Sequence, residues 1–536
     1  MIKKPLLVSL AAAALLTGNA QAASMYDRMS EMETEMQALK AELEKVKAAK
    51  PVVEEEAEEE ETAMKDEPEE DEEDEGEEED EEDETEEALA YFDEAITRLN
   101  KNTSGNALKF GVDFRTAVDN LQYKMADGSK EENSALFTNR LWVNMNWAAS
   151  ENMSFTGQLA YNKAFGARSI GQANPQTGNP GAAYEPFDWI TSENAFDDSL
   201  RVRSAYFFYR NDTFLGTDIP WTFSIGRRPS TNGHLINMRD DDRAASPMGH
   251  TINVEFDGLS SKFTLMEDIG MYAKICAGRG MTNAAPRFNA APYASVDDNP
   301  NIDLGGLIFV PYDDGQYSIG MQYYYAAHLI DVDPRLYSAA PETANASGFE
   351  DVGNLHSFTA NLTVNGIGDE WSDFLDDSTF FVSGAVSVTD PNEDSLQGMF
   401  GEFNTDGSFR PQYDKKTGYS VWVGLQYPSL ISEDGRWGVE YNHGSKFWRA
   451  ITYAEDTNIG SKIAARGDAY EAYFTEPLID DIFSFQLRYT YIDYNFAGSN
   501  GFFGTMTGAT NKISEFPSPN MVDTAQDIRA YLRYRF

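Results

Sequence analysis

The sequence predicts an all-β fold, a transmembrane antiparallel β-barrel of about sixteen strands that follows a short coiled coil and a disordered acidic tract. Three observations lead to this fold class. From residue 107 onward, apolar and polar residues alternate in about sixteen segments of roughly ten residues, the period and length of membrane-spanning strands. Short links between these segments alternate with long polar loops. The last segment ends in aromatic residues.

Residues 1–22 have the features of a secretory signal peptide. Lys3 and Lys4 precede a short apolar run from Leu6 to Thr17, and Ala20-Gln21-Ala22 supplies small residues for cleavage. The run is too short for a membrane-spanning helix. The chain has one cysteine, Cys276, which excludes an intramolecular disulfide and any four-cysteine metal centre. We therefore expect an exported protein.

Residues 23–50 are predicted to form a coiled coil, because apolar residues recur there at alternating spacings of four and three. The repeat lasts about three heptads, so the association would be weak. An amphipathic helix that lies on another surface is the alternative. The repeat consists of Met25, Met29, Met32, Met36, Leu39, Leu43 and Val46.

Residues 51–87 form an acidic tract that we expect to be a disordered, solvated linker. Between Glu54 and Glu87, 26 of 34 residues are acidic and one is lysine. Like charges repel, and nothing apolar is available to bury. Low-affinity binding of calcium or magnesium is the alternative. The net charge of −47 argues against nucleic acid or anionic lipid as the main partner.

Residues 88–104 are predicted to form a periplasmic helix, with Leu89, Phe92, Ile96 and Leu99 on one face. The barrel is predicted for residues 105–536. An even number of strands would place both of its ends in the periplasm. The predicted strands lie near 108–115, 140–147, 153–161, 200–210, 220–228, 250–265, 271–280, 304–311, 316–326, 354–365, 379–389, 417–427, 436–445, 468–476, 483–494 and 525–536.

A soluble β-sandwich or propeller would also show period-two alternation. Two features favour a membrane barrel instead. Aromatic residues gather at the strand ends on the apolar face, as interfacial girdles do. They are Trp147, Tyr161, Trp221, Tyr317, Tyr427 and Trp437. In addition, Leu532, Tyr534 and Phe536 end the last strand in the manner of the signal read by the outer-membrane barrel-assembly machinery.

The polar face of the strands would line the lumen, and lysine and arginine recur on it. A cationic wall attracts anions and raises their local concentration. We expect the loop after the fifth strand to fold inward and to set Asp240, Asp241 and Asp242 against this wall as a constriction. The alternative is that the arginines pair with loop acids as a scaffold. The predicted pore-lining cations are Lys109, Arg115, Arg140, Arg201, Arg203, Arg228, Arg488, Arg529 and Arg533.

The sequence predicts no enzyme. Five scattered histidines lack metal-ligand spacing, and we find neither a nucleophile elbow nor a phosphate-binding loop. We therefore expect no metal and no cofactor. A barrel-embedded hydrolase with His443 beside Gly444-Ser445 is a minor alternative, although a strand-end turn accounts for these residues.

The stretch from Gly438 to Trp448, with the sequence GVEYNHGSKFW, resembles a motif of the proteobacterial outer-membrane family known as domain of unknown function 3373. The loop from Gly226 to Gly233 and the segment from Tyr494 to Gly504 are similar to it as well. The resemblance covers about residues 88–536 and implies a porin-like barrel without a particular solute. The acidic tract departs from the family pattern.

Together these features predict an outer-membrane channel for passive diffusion of small hydrophilic solutes, with anions favoured by the wall charge. Outer-membrane lipid, the barrel-assembly machinery and the solutes are the expected partners. A homotrimer could form through the barrel sides and the N-terminal helices. The alternative is an occluded barrel that serves as a structural or partner-binding surface protein.

Overall fold

The computed structural model describes residues 108–165, 200–243, 245–281, 284–286, 293–295, 301–333, 335, 349–368, 371–404, 408–452, 455–501, 509–515 and 517–536. The predicted signal peptide, coiled coil, acidic linker and periplasmic helix lie outside these residues. No helix in the described part of the chain is long and apolar enough to cross a membrane.

The described barrel consists of sixteen antiparallel strands. Each predicted strand segment corresponds to one of them, and β1 and β2 extend well beyond the apolar alternation, to a turn at 126–129. The strands are β1 (Lys109–Met125), β2 (Lys130–Ala148), β3 (Met153–Ala164), β4 (Arg201–Asn211), β5 (Trp221–Ser230), β6 (Ile252–Met266), β7 (Met271–Met281), β8 (Ile302–Asp313), β9 (Tyr317–Val332), β10 (Phe349–Asn365), β11 (Thr379–Pro391), β12 (Thr417–Pro428), β13 (Arg436–Gly444), β14 (Gly467–Ile479), β15 (Phe483–Tyr494) and β16 (Val522–Arg535).

The strands form a closed ring, because every strand pairs with its neighbours in sequence and β16 pairs with β1. In this closing pair, Arg115 lies opposite Arg533 and Asp119 opposite Arg529. Closure leaves no free sheet edge, which is the requirement for a sheet that crosses a bilayer. The architecture is therefore an all-β closed barrel of the outer-membrane type.

The connections divide the barrel into two ends. Links of three to four residues at 149–152, 267–270, 314–316 and 480–482 lie at the end that carries Lys109 and Arg535. The same end also carries longer links at 212–220, 366–378 and 429–435. At the opposite end of the described barrel the connections are longer still, except for the link at 126–129. A helix, α1 (Ile236–Arg239), lies in the connection after β5, and α2 (Asp373–Asp376) precedes β11. Smaller described elements are the paired segments Ala284–Pro286 with Tyr293–Ser295 and Glu402–Phe403 with Phe409–Arg410, and the 3₁₀ turn Ile513–Glu515.

The two faces of the strands differ as the alternation predicts. In β16, Ile528, Leu532 and Tyr534 point outward and are exposed, whereas Arg529 and Arg533 point inward and are buried. The same inside-out pattern holds in β1, where Phe110 and Phe114 are exposed. An apolar exterior of this kind suits a lipid environment.

Two long-loop connections enter the lumen. We call residues 231–251 the inner loop and residues 445–466 the plug loop. In the plug loop, Ile451–Thr452 pairs in parallel with Ile252 and Asn253 at the start of β6. Trp448, Ile451 and Ile463 of the plug loop and Ile236 of the inner loop are buried. The loops thus pack apolar side chains against the inner wall, where an unobstructed lumen would be wet.

Candidate functional site

The inward face of β16, β1 and β2 carries a cluster of buried ion pairs, which we call the seam cluster. Arg533 donates to both carboxylate oxygens of Asp113, at 3.0 and 2.5 Å. Arg529 donates to Asp119 at 2.5 Å. All four side chains are buried. The predicted pore-lining residues Arg529 and Arg533 are therefore neutralised by acids of β1, a strand, whereas the sequence alternative expected pairing with loop acids.

The plug loop joins the seam cluster through Asp456. Its two oxygens accept from Arg115 at 2.8 and 2.7 Å, and Arg140 is a further donor. Arg140 also donates to Asp113 at 3.3 Å. Burial alone would raise the pKa of Asp456, but the guanidinium groups of Arg115 and Arg140 outweigh burial and lower that pKa to about 2. The carboxylate is therefore ionised over the physiological range.

The inner loop brings two of the three predicted constriction acids against the arginine wall. Arg533 donates to the Asp240 carbonyl at 2.7 Å and to the Asp242 carboxylate at 2.8 Å. Asp241 is exposed, and its carboxylate lies 3.5 Å from Arg535 at the barrel end. Asp240 and Asp242 therefore contact the arginine wall directly. A role in permeation remains a prediction.

Two basic residues of the inner and plug loops, Arg239 and Lys462, are absent from the predicted set. Lys462 donates to Glu440 at 2.6 Å and to Glu471 at 2.5 Å, and Arg239 donates to Glu471 at 3.3 Å. The two glutamates occupy inward positions of β13 and β14, so the alternation of the sequence predicts which way they face. The directions of Arg239 and Lys462 could not be predicted, because loops have no period that fixes side-chain direction.

Four other predicted pore-lining residues lie apart from the seam ion pairs. Arg203 is 3.6 Å from Glu255 and stacks 4.3 Å from the Trp142 ring. Arg488 is buried, and Asp240 lies 3.9 Å from it. The three guanidinium nitrogens of Arg488 have no hydrogen-bond partner within the described residues. Arg201 is half-buried at the start of β4, and Lys109 is exposed at the start of β1.

The sector formed by β5, β6 and β7 differs in its charge balance. Arg228, Lys262 and Lys274 point inward and are half-buried there. No described carboxylate forms a salt bridge with any of them. Arg228 lies 5.0 Å from the Tyr206 ring and donates to Ser260, while Lys262 lies 4.1 Å from the Tyr272 ring. We call these three residues the cation patch. Only Arg228 belongs to the predicted set.

The described residues contain no group of three or more His, Cys, Asp or Glu side chains arranged to hold a metal ion. His443, the local hint for a hydrolase, accepts or donates at 2.9 Å to Asp468. Ser445 instead donates its backbone N–H to the Tyr419 carbonyl and accepts from the Tyr419 N–H through its hydroxyl. The Ser445 contacts continue the β12–β13 pairing, and a turn follows in which the Trp448 N–H donates to the Ser445 carbonyl at 3.0 Å.

Several solved outer-membrane proteins are similar to this chain. OmpT of Vibrio cholerae is 12% identical over 80% of this chain and 97% of its own, with a TM-score of 0.38. OmpF of Salmonella typhi, in complex with daunomycin, is 10% identical over 81% and 99%, with a TM-score of 0.41. An anion-selective porin from Comamonas acidovorans is 10% identical over 80% and 99%, with a TM-score of 0.42. No curated protein matches the sequence.

The family described as "Protein of unknown function (DUF3373)" matches residues 130–536. The match extends over more than half of the chain and includes all of the strands from β2 to β16. It also contains the stretch from Gly438 to Trp448 on which the sequence resemblance rests. The chain therefore belongs to this DUF3373 family.

Proposed function

We propose that the protein is an outer-membrane channel through which small hydrophilic solutes diffuse, with a preference for anions. The cation patch is the observation that carries this proposal. The inward cations of the seam cluster are neutralised by buried acids, whereas Arg228, Lys262 and Lys274 have no described carboxylate partner. Unpaired positive charge in a narrow, low-dielectric passage attracts anions.

The proposed passage runs along the β3–β8 side of the lumen. On the opposite side the inner and plug loops bury the wall residues, as in Thr359 of β10 and Gln486 of β15. Along β3 to β8, Ser224 and Ser260 are buried as well, but Gln158, Arg228 and Lys274 remain half-buried. Passage needs no chemical step, so the proposal includes neither catalysis nor a cofactor.

Membrane placement and assembly belong to the same proposal. The exposed apolar exterior supports contact with outer-membrane lipid, and the periplasm would hold the N-terminal segment. Trp147 and Tyr317 are exposed next to short links, as an interfacial girdle requires. We further propose that Leu532, Tyr534 and Phe536 are recognised by the barrel-assembly machinery and that three copies associate. Fractionation of membranes and native mass spectrometry test these points.

Single-channel recording in planar bilayers under a salt gradient tests the channel. We expect stable conductance steps and a reversal potential of anion-selective sign. The double variant Arg228→Gln/Lys274→Gln should shift this potential toward cations. Arg279→Gln is the matched control, because Arg279 lies on β7 but faces outward, half-exposed, 2.7 Å from Asp303. An unchanged potential in the double variant would contradict the assignment of the cation patch to the passage.

The second candidate is an occluded barrel that acts as a structural or partner-binding surface protein. The packed inner and plug loops favour it specifically. Silent bilayers, with folding verified by heat-modifiable gel mobility, would support this candidate against the channel. Conductance that appears only when the plug loop is released would indicate a channel that is closed at rest.

A further inference from the structure

The lumen wall formed by β6, β7 and β8 contains a recess that the seam cluster does not reach. Its floor consists of backbone, because Gly258, Gly278 and Gly306 occupy successive inward positions there. Gly258 pairs with Gly278, and Gly306 pairs with Cys276. Without side chains at these positions, the wall leaves a recess with a cavity volume of about 70 Å³ that is partly open to solvent. This is several times the volume that one ordered water needs.

Every residue that lines this recess is neutral or cationic. Arg228 and Lys274 provide the charge, and Ser246 of the inner loop and Ser260 provide hydroxyl groups. The Lys274 ammonium donates to the Ser246 hydroxyl at 2.5 Å, which leaves two of its three N–H donors for other partners. The buried Nε of Arg228 has no hydrogen-bond partner within the described residues.

The register of β6 and β7 adds a second argument. Lys262 lies directly opposite Lys274. Like charges that face each other across an antiparallel pair destabilise the sheet. An anion held near Lys274 would reduce this repulsion. A bound anion would therefore offset the destabilisation of the sheet by the two lysines.

The remaining lining selects among anions. Ile252, Phe256, Ile308 and Tyr324 are buried and line the recess beside the cations. Ile252, Phe256 and Tyr324 pack in the apolar core, so the wall beside the cations is apolar. A carboxylate attached to a hydrocarbon or aromatic body matches both parts, because guanidinium and ammonium donors bind the carboxylate and the apolar side chains cover the body.

We propose that this recess is a binding site for small organic anions, in which Arg228 and Lys274 hold a carboxylate and the β6–β8 wall holds its apolar body. The site deepens the channel function and rests on it for the route by which such an anion arrives. It would make the passage selective for amphiphilic anions over inorganic ones.

Cys276 provides a direct test, because it lines the recess and is the chain's one cysteine. We would measure the rate at which a sulfonate-bearing methanethiosulfonate reagent modifies this thiol in detergent-solubilised, folded protein. Benzoate should slow the modification at least about tenfold at saturation, because a ligand held by charge-assisted contacts beside Cys276 covers the thiol. Benzamide, which has the same shape without the charge, and acetate, which lacks the apolar body, should protect far less.

Variants distinguish recognition of benzoate from general access of the reagent to Cys276. Lys274→Gln and Arg228→Gln should each raise the benzoate concentration for half-protection about tenfold, the effect of losing a charge-assisted hydrogen bond. Arg279→Gln on the same strand should leave it unchanged. Equal protection by benzoate and benzamide, an unreactive Cys276 in the folded barrel, or half-protection that is insensitive to both variants would each overturn the site. Heat-modifiable mobility verifies folding of every variant.

The two proposals fail independently. Benzoate protection in a protein that gives silent bilayers would support the binding site and refute the channel. Conductance without protection would refute the binding site and leave the channel.

Discussion

Asp456 is the residue whose charge we expect to hold the plug loop in the lumen. Its carboxylate accepts from both terminal nitrogens of Arg115 and from Arg140, and all three side chains are buried. Asp456→Asn keeps the shape of the side chain but removes the charge. Arg115 then has no carboxylate salt-bridge partner within the described residues, whereas Arg140 keeps Asp113 at 3.3 Å.

The size of the effect follows from these contacts. Removing one partner of a buried ion pair costs about 3–5 kcal/mol, because the other charge is left without compensation. The asparagine oxygen still accepts one hydrogen bond and Arg140 stays paired, so we expect the lower limit, about 3 kcal/mol. The population with an undocked plug loop should therefore rise about a hundredfold.

Amide hydrogen exchange followed by mass spectrometry measures this opening. Peptides from the plug loop should exchange about a hundredfold faster in Asp456→Asn than in the wild type, while strand peptides keep their protection. Asp241→Asn is the matched control, since this acid is exposed beside Arg535, and surface pairs contribute about 0–1 kcal/mol. Unchanged exchange in the plug loop of a folded Asp456→Asn protein would refute the reasoning.

The ionisation of Asp456 predicts that docking of the plug loop depends on pH. The pKa of Asp456 is about 2 in the folded protein and 3.8 ordinarily, so its contribution to docking is complete above the ordinary value and is lost as pH falls toward 2. Asp456→Asn should lack this transition. Plug-loop exchange measured as a function of pH, relative to the unfolded chain, tests the difference.

Three further predictions concern the loops and the wall. Gly226→Ala should lower the unfolding temperature on heat-modifiable gels, by a loss of about 1–3 kcal/mol, because Gly226 has φ +136 and a Cβ there would collide with the Ala205 carbonyl; Gly384→Ala, where nothing lies within 4 Å, should be nearly neutral. Burial lowers the pKa of His250 to about 3, and its ring lies 5.7 Å from that of Trp422. Tryptophan emission should therefore show a histidine transition near pH 3 that His250→Gln lacks; a transition near the ordinary value of 6.5 would contradict it. Arg466 donates to the carbonyls of Lys446, Ala497 and Ala509, so Arg466→Gln should accelerate exchange in the plug loop and around Ala497 together; acceleration in one alone would contradict a shared clamp.

The wall of the barrel could be predicted because period-two alternation indicates both that a segment is a strand and which of its side chains face inward. Asp527, Arg529 and Arg533 share one parity in β16, and the structure places all three inward. The pairing of Lys262 with Lys274 could not be predicted from the short link between β6 and β7, because a register shift between Thr264 and Met266 separates the turn from this pair. The recess also depends on the neighbouring glycines and the inner loop.

The contents of the lumen could not be predicted in the same way. Asp456 contacts Arg115 across 341 positions of the sequence, and nothing local in the plug loop indicates that it turns inward. Arg239 and Lys462 likewise lie in aperiodic segments whose side-chain directions depend on the docked loop. Charge composition suggested cations on the wall, but only the fold shows which of them acids neutralise.

Closure of the ring has a consequence for biogenesis. Asp113 and Asp119 in the first strand bond to Arg533 and Arg529, 420 and 410 positions later. Until the final strand arrives, Asp119 lacks Arg529, Asp113 has Arg140 of β2 but not Arg533, and the first strand presents a free edge. The seam cluster therefore forms last, and it links insertion of a stable barrel to completion of the polypeptide. A chain released before its last strand would lack both the edge pairing and the charge compensation that Arg529 and Arg533 supply.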